Sequence, residues 1–330
     1  MRIKLISIIT VIIAFPLLLE SQTSIIDTTY FFNGNNIKSV LNYTIADNDT
    51  IYEGKAIFFY VTGDQWQQGN YLNNKMHGYW TTYYPNGSIK RKAKYVDGKK
   101  DGKITNYYEN GNPSIILNYK LDTLCGLTTL YYENRQVKET RFYQNHKLNG
   151  LTKGFNYDGS PSYRINFVDS IQHGLYEKYY SSGNLKEKGE MDDQRFYGQY
   201  NSYYENGQIE KDYSYAGFNI DGPYKVYYEN GNLMIECNYK LGKIEGIWTQ
   251  YHQDGSIYET GNYSNGLRVG KWVSLFPDSA NYMVGYYNNG ITEGLWEVYY
   301  PNGQLKQKGS FSMGIPNGNW HYYHENGSIK

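Results

Sequence analysis

The side chains able to do chemistry are few in kind and spread evenly along the chain. There are six histidines. His77, His146 and His173 stand in short polar segments, and His252 and His324 stand where tyrosine is usual. His321 and His324 are three apart, which on a strand sends them to opposite faces. A metal needs ligands that converge, and none of these spacings provides that. Two cysteines, Cys125 and Cys237, are too few for a disulfide framework or a cysteine zinc site. Both are expected as free thiols. The stretch Asp47-Asn48-Asp49-Thr50 lacks the glycine of a calcium loop. Carboxylates recur at Glu109, Glu133, Glu205, Glu229 and Glu325. Acid–base hydrolysis of a glycoside wants one matched pair, not a periodic set. No Ser, Cys or Lys lies in a nucleophile motif, and the glycines do not stand between a strand and a helix, so no phosphate cradle is indicated. The expectation is a protein that is not an enzyme and takes no metal or cofactor.

One periodic set could bind. Tyr83, Tyr107, Tyr131, Tyr179, Tyr203, Tyr227, Tyr251 and Tyr299 follow one another at 24 residues or a multiple of it. Tyrosine offers a large contact area at low entropic cost, so such a row could stack sugar rings or grip a protein. The competing reading is cross-strand stabilisation of a sheet. These eight are the candidate binding residues.

The elements that position them follow from the glycines. Glycine occurs at Gly54, Gly78 and every twenty-fourth residue onward to Gly318, with no insertion or deletion. A fixed period of this length marks a repeat array. Counting each such glycine as position 0, the tyrosine row is position 5 and a second tyrosine often follows at position 6. A further glycine is common at position 9, usually behind Asn, and an aliphatic residue stands at position 11. Another aromatic residue stands at position 17. Asn-Gly between aromatic, alternating segments signals a hairpin, with a type I′ turn at positions 8 and 9 as the expected form. That turn pairs position 6 with 11, 4 with 13 and 2 with 15, and a six-residue connector returns the chain to the next hairpin. Position 2 against 15 tests the register. Trp248 meets Gly261, Trp272 meets Gly285 and Trp296 meets Gly309, whereas the smaller Ile104 and Thr152 meet Leu117 and Ile165. A large ring over a strand glycine stabilises a sheet. The fold class is therefore all-β: an elongated antiparallel β-hairpin repeat array with a 24-residue period and about 11–12 units.

Composition agrees with this. Of 330 residues 40 are Tyr and 35 Gly, and 18 % are aromatic. Aromatics suit pleated sheets and glycine suits tight turns. Lys+Arg and Asp+Glu are equal at 32, a balance that disfavours nucleic acid as partner. Arg2 and Lys4 precede an apolar run from Leu5 to Leu19, followed by polar residues, which describes a signal peptide over 1–21 cleaved after Ser21. An uncleaved membrane anchor is the alternative. Residues 22–53 hold a degenerate unit or N-terminal cap, with Phe31-Phe32-Asn33-Gly34 echoing the turn, and 54–330 the repeat domain. The least regular units run from Gly126 to Ser181, where Arg135 replaces a turn glycine, and from Gly270 to Gly290, where Ser279 does.

The run from Tyr227 through Asn230-Gly231 to Gly246-Ile247-Trp248 resembles the MORN repeat. More closely it resembles the bacterial variant in proteins labelled as antitoxins of toxin–antitoxin systems. The resemblance covers Gly54 to Lys330. It implies a hairpin array without catalytic residues, used for protein scaffolding and sometimes for association with a membrane surface. The functional expectation is an exported, non-enzymatic scaffold that binds a protein partner. A glycan- or cell-wall-binding protein using the tyrosine row and an antitoxin or immunity-like protein are the alternatives. Self-association through a C-terminal sheet edge is a further expectation.

Overall fold

The computed structural model describes residues 24–32, 34 and 36–330. The signal-peptide segment lies outside the described residues. Those described form β-strands, turns and loops, with no helix. The chain divides into two compact units between Lys100 and Asp101. Within each, successive strands pair antiparallel in chain order, so the sheet is a continuous meander of hairpins.

In the first unit the regular repeat is seen in Gln65–Leu72, Lys75–Tyr83 and Ile89–Val96. Ahead of it, Ile37–Ala46 and Asp49–Phe59 pair as a hairpin of the same kind with longer arms. Ile37–Ala46 has 10 residues and Asp49–Phe59 has 11, against 8 and 9 in the regular repeat.

In the second unit the repeat is typified by Asn219–Tyr227, Leu233–Lys240, Lys243–Tyr251 and Ile257–Ser264. Two units differ. Their first strand is split, into Thr123–Leu124 and Gly126–Tyr131, and into Lys147–Leu148 and Gly150–Phe155.

The register expected between positions 2 and 15 is found throughout: Trp80 opposite Ala93, Ile104 opposite Leu117, Trp248 opposite Gly261. Position 4 opposite 13 also holds, as in Val226 with Ile235. Three expectations are corrected. First, position 11 pairs with 5 rather than 6, as in Tyr227 with Leu233. The Asn-Gly turn is not type I′. Tyr228 N–H donates to Asn232 O (2.8 Å) and Gly231 N–H to Tyr228 O (2.9 Å), a three-residue loop closed by a glycine bulge. Only the glycine needs positive φ (86° at Gly231). Asn is favoured for another reason: its side-chain oxygen accepts the N–H two residues on, Asn232 N–H to Asn230 Oδ1 at 3.0 Å.

Second, the supposed connector is itself a hairpin. The type I′ turns are here, at positions 19 and 20, where both residues have positive φ: Asn73 and Asn74 (50° and 63°), Leu241 and Gly242 (51° and 79°). Acidic residues at position −1 secure several of them. Leu241 N–H donates to Asp221 (3.0 Å), Asn265 N–H to Glu245 (2.7 Å) and Met313 N–H to Glu293 (2.9 Å).

Third, the large ring covers a different glycine from the one opposite it. A methyl group on Gly261 would lie 2.2 Å from the Trp272 ring, not against Trp248. Gly285 is likewise covered by Trp296, Gly309 by Trp320 and Gly69 by Trp80. Each ring leans across the I′ hairpin onto the preceding repeat. The compensation in size runs across repeats too: Leu117 precedes Thr128 and Arg141 precedes Thr152. The indole N–H groups reach back the same way, Trp80 to Asn70 O (3.1 Å), Trp272 to Asn262 O (3.2 Å) and Trp296 to Tyr286 O (3.2 Å).

This face is the core. Trp272 is 1 % exposed and Trp80 2 %. Rings at positions 2 and 17 alternate edge-to-face, Tyr263–Trp272 at 5.2 Å, Tyr287–Trp296 at 5.3 Å and Phe311–Trp320 at 5.1 Å. Such pairs add about 0.5–1.5 kcal/mol each beyond burial. The ladder is interrupted where Ile104, Thr128 and Thr152 take position 2. There Glu139 is buried and held by Arg141 through two hydrogen bonds of 2.8 and 2.6 Å.

Candidate functional site

The eight tyrosines at position 5 occupy the face opposite the tryptophans. Alternation places them with positions 3 and 14, a polar ladder across the strands. All eight are half-buried rather than exposed. Several hydroxyls are already engaged. Tyr179 donates to Glu177 (2.7 Å), Tyr299 to Glu297 (2.9 Å) and Tyr251 to Glu236, while Tyr83 accepts from Gln68 Nε2 (2.6 Å). Burial first, and then the bond to Glu236, pushes the Tyr251 pKa up to about 12. Tyr179 and Tyr299 are raised for the same two reasons, burial and the neighbouring glutamate. Burial, with the charges of Asp212 and Glu177 second, raises Tyr203. The backbone carbonyls of this row are also used. The position 6 hydroxyl of the preceding repeat donates to them: Tyr108 to Tyr131 O (2.7 Å), Tyr180 to Tyr203 O (2.7 Å), Tyr204 to Tyr227 O (2.8 Å) and Tyr228 to Tyr251 O (2.8 Å). The Lys at position 12 lies over the ring at position 6, with Lys186 Nζ 5.4 Å from the Tyr180 ring centre and Lys306 Nζ 5.5 Å from that of Tyr300. The row is thus stitched into the sheet, and its members do not converge on one point.

The two split repeats interrupt this face. A groove of about 630 Å³ opens there, with Leu127, Val137, Leu151 and Phe155 as its apolar lining and Thr140 and Lys153 as polar members. It forms because the usual side chains are missing. Phe155 takes position 5 without a hydroxyl, and Thr140 takes a position 14 that carries Arg, Lys, Asp or Glu in the four repeats that follow. Leu127 is half-exposed, and so is Phe142 opposite it. The turn beside the groove carries Arg135 at φ 72°, where glycine is usual. Its Nε donates to Asn112 Oδ1 (2.6 Å) across to the preceding turn. The sequence marks these units as irregular through Arg135, and the groove opens within them. The sequence does not show which face opens.

Other chemistry is dispersed. Among the described residues no three His, Cys, Asp or Glu side chains gather as a metal site. Cys237 is buried and Cys125 half-buried, both as free thiols. Glu177 is buried and takes Arg164 (3.1 Å) and Tyr179, and Glu259 is held by Arg268 (2.8 and 3.1 Å). In these networks each acid is satisfied. No helix among the described residues is long and apolar enough to cross a membrane.

Antiparallel hairpins with this period and these turns are consistent with a MORN-type repeat array. The family model described as "MORN repeat variant" matches seven segments, residues 76–97, 100–121, 172–193, 196–216, 220–241, 244–265 and 292–312. It passes over the two split repeats that hold the groove, and over the repeat from Gly270. No curated protein matches the chain. Among solved structures, the crystal structure of TcdB2-TccC3 matches at 10 % identity and TM-score 0.20, covering 92 % of this chain and 19 % of that one. The Photorhabdus luminescens Tc holotoxin pore matches at 12 % identity and TM-score 0.17, covering 92 % of this chain and 18 % of that one. This chain spans about a fifth of their length, and similarity at that level carries no functional inference. The expected resemblance to antitoxins of toxin–antitoxin systems finds no support in these matches.

Proposed function

We propose that this protein is a non-enzymatic scaffold, exported by a signal peptide over residues 1–21, that binds a protein partner on its tyrosine face. The observation that supports this is the division of labour between faces. One face spends its rings on the core, whereas the other presents a repeated polar surface broken by an apolar groove. A repeat array of this kind offers an extended surface without a catalytic centre. The proposal is tested by chemical cross-linking in the native cell envelope and secreted fractions, followed by reconstitution with the purified partner. A stable complex that is lost when the tyrosine face is altered supports it. An intact protein found only in the cytoplasm refutes export.

A cell-surface polymer is the second reading, and the tyrosine row is what favours it. Sugar stacking needs open ring faces, and these rings are half-buried with several hydroxyls engaged. Retention on peptidoglycan or a glycan array, lost on Tyr179→Ala, Tyr203→Ala and Tyr227→Ala, would establish the polymer in place of the protein.

A further inference from the structure

We infer that the groove at Leu127, Leu151 and Phe155 receives a segment of a partner protein that presents a large apolar side chain next to a carboxylate. The inference rests on the scaffold reading and adds the chemistry of the partner. The argument comes from the charge ladder on the tyrosine face. Positions 3 and 14 of successive repeats lie side by side across the strands: Lys153 beside Arg164, Arg164 beside Glu177, Glu177 beside Lys188. Further along, Asp212 lies beside Lys225 and Lys225 beside Glu236. Opposite charges adjoin through most of this run. Glu177 takes Arg164 at 3.1 Å and stands 4.0 Å from Lys188. The run ends at the groove on an unmatched cation. Lys153 has Arg164 on one side and Thr140 on the other, and it makes no ion pair among the described residues.

An exposed lysine on open surface carries no message, since water solvates it. Lys153 is different because it lines a groove whose remaining walls include Leu127, Val137, Leu151 and Phe155. An apolar side chain placed there removes apolar surface from water, which favours binding. It also lowers the local dielectric, which strengthens a carboxylate's attraction to the ammonium. The two halves of the site therefore favour one ligand type, acidic and apolar together. A basic segment would meet Lys153 and Arg164 with like charge.

Backbone strain marks the same place. Arg135 holds φ 72° at the adjoining turn, a left-handed conformation that a residue with a Cβ rarely adopts. The two repeats are also those that the family model passes over between its matches at 100–121 and 172–193.

The test uses the full chain, immobilised, against a displayed library of random linear peptides. Selected peptides are then synthesised and titrated by fluorescence anisotropy. The expected result is enrichment of Asp or Glu beside Leu, Ile or Phe. Affinity should fall about tenfold or more with Lys153→Glu, and hold with Lys271→Glu on the same face. A peptide with its acids changed to Lys should regain affinity for Lys153→Glu, a gain that a misfolded variant could not give. Selected peptides that are basic or uncharged overturn the inference, and so does a failure to select any. Peptides that bind equally to wild type and Lys153→Glu also overturn it, while leaving the scaffold reading intact. If the cross-linked native partner dissociates with Tyr203→Ala but not with Lys153→Glu, the groove is likewise refuted and the scaffold reading stands.

Discussion

Gly261 and Trp272 give the sharpest test of how the repeats lock together. A methyl group added to Gly261 would lie 2.2 to 2.6 Å from ring carbons of Trp272. Those are covalently rigid atoms, so the whole indole must move. It cannot move freely, because it is 1 % exposed, donates to Asn262 O at 3.2 Å and lies under the Arg268 guanidinium at 3.8 Å. Overpacking a core costs about 1–3 kcal/mol, and the loss of one hydrogen bond about 1. Gly261→Ala should therefore destabilise this segment by about 3 kcal/mol. In the background Trp272→Ala the clash is absent, and alanine in a strand should be favoured over glycine by about 0.5–1 kcal/mol. The same substitution then changes sign, and the coupling is about 3–4 kcal/mol. In the background Trp248→Ala, which removes the residue directly opposite Gly261, the penalty should persist. Repeat proteins open locally, so the suitable measurement is native-state hydrogen exchange of the amides in 257–275. Two outcomes refute the reasoning: a Gly261→Ala penalty below about 1 kcal/mol, or relief of that penalty by Trp248→Ala in place of Trp272→Ala.

Three further outcomes are expected. Tyr228→Phe removes the 2.8 Å bond to Tyr251 O and should lower the local opening free energy of the next hairpin by about 1 kcal/mol, read by the same exchange experiment. Alkaline pH should unfold the protein. The Tyr251 pKa, about 12 folded, lies above the unfolded value of about 10, so its contribution is intact below pH ~10 and is lost as pH rises toward 12. Circular dichroism should follow the late part of the tyrosinate absorbance change, and full ionisation without loss of structure would contradict this. Burial pushes the Cys237 thiol up to about 11, so a maleimide at pH 8 should label it only after denaturant is added. Rapid labelling in the native protein would show that this strand is open.

Much of the fold is legible in the sequence because a sheet repeats on a short period. The glycine phase, the pairing of position 2 with 15 and the opposite faces of tryptophan and tyrosine follow from alternation alone. The turn assignment goes astray because Asn-Gly serves two turns, and the difference is one φ angle. Asn230 lacks the positive φ that a type I′ turn would require. The lean of the tryptophans is hidden for a related reason. Position 15 has position 2 of its own repeat on one side and position 2 of the next on the other, and only the side-chain rotamer chooses between them. Arg141 against Thr152 gives a trace of the answer in the size of the residues. The groove is the least legible part. Leu127, Val137 and Phe155 are ordinary strand residues, and what matters is the side chains their neighbours lack.

The links between repeats also govern how such a chain can change length. Tyrosine hydroxyls reach forward one repeat, from Tyr204 to Tyr227 O, and tryptophan indoles reach back one, from Trp272 to Asn262 O. Duplicating or deleting 24 residues restores every one of these bonds with a like partner. Adding or losing a single residue within a strand exchanges the two faces from that point, placing indoles in water and charged side chains in the core. Indels are therefore filtered by size, and the twelve in-phase glycines from Gly54 to Gly318 carry the mark of that filter. In the divergent repeats near the groove, residue identity has changed while chain length has stayed fixed. A partner-binding feature can thus evolve inside the array by substitution alone, without disturbing the reading frame of the sheet.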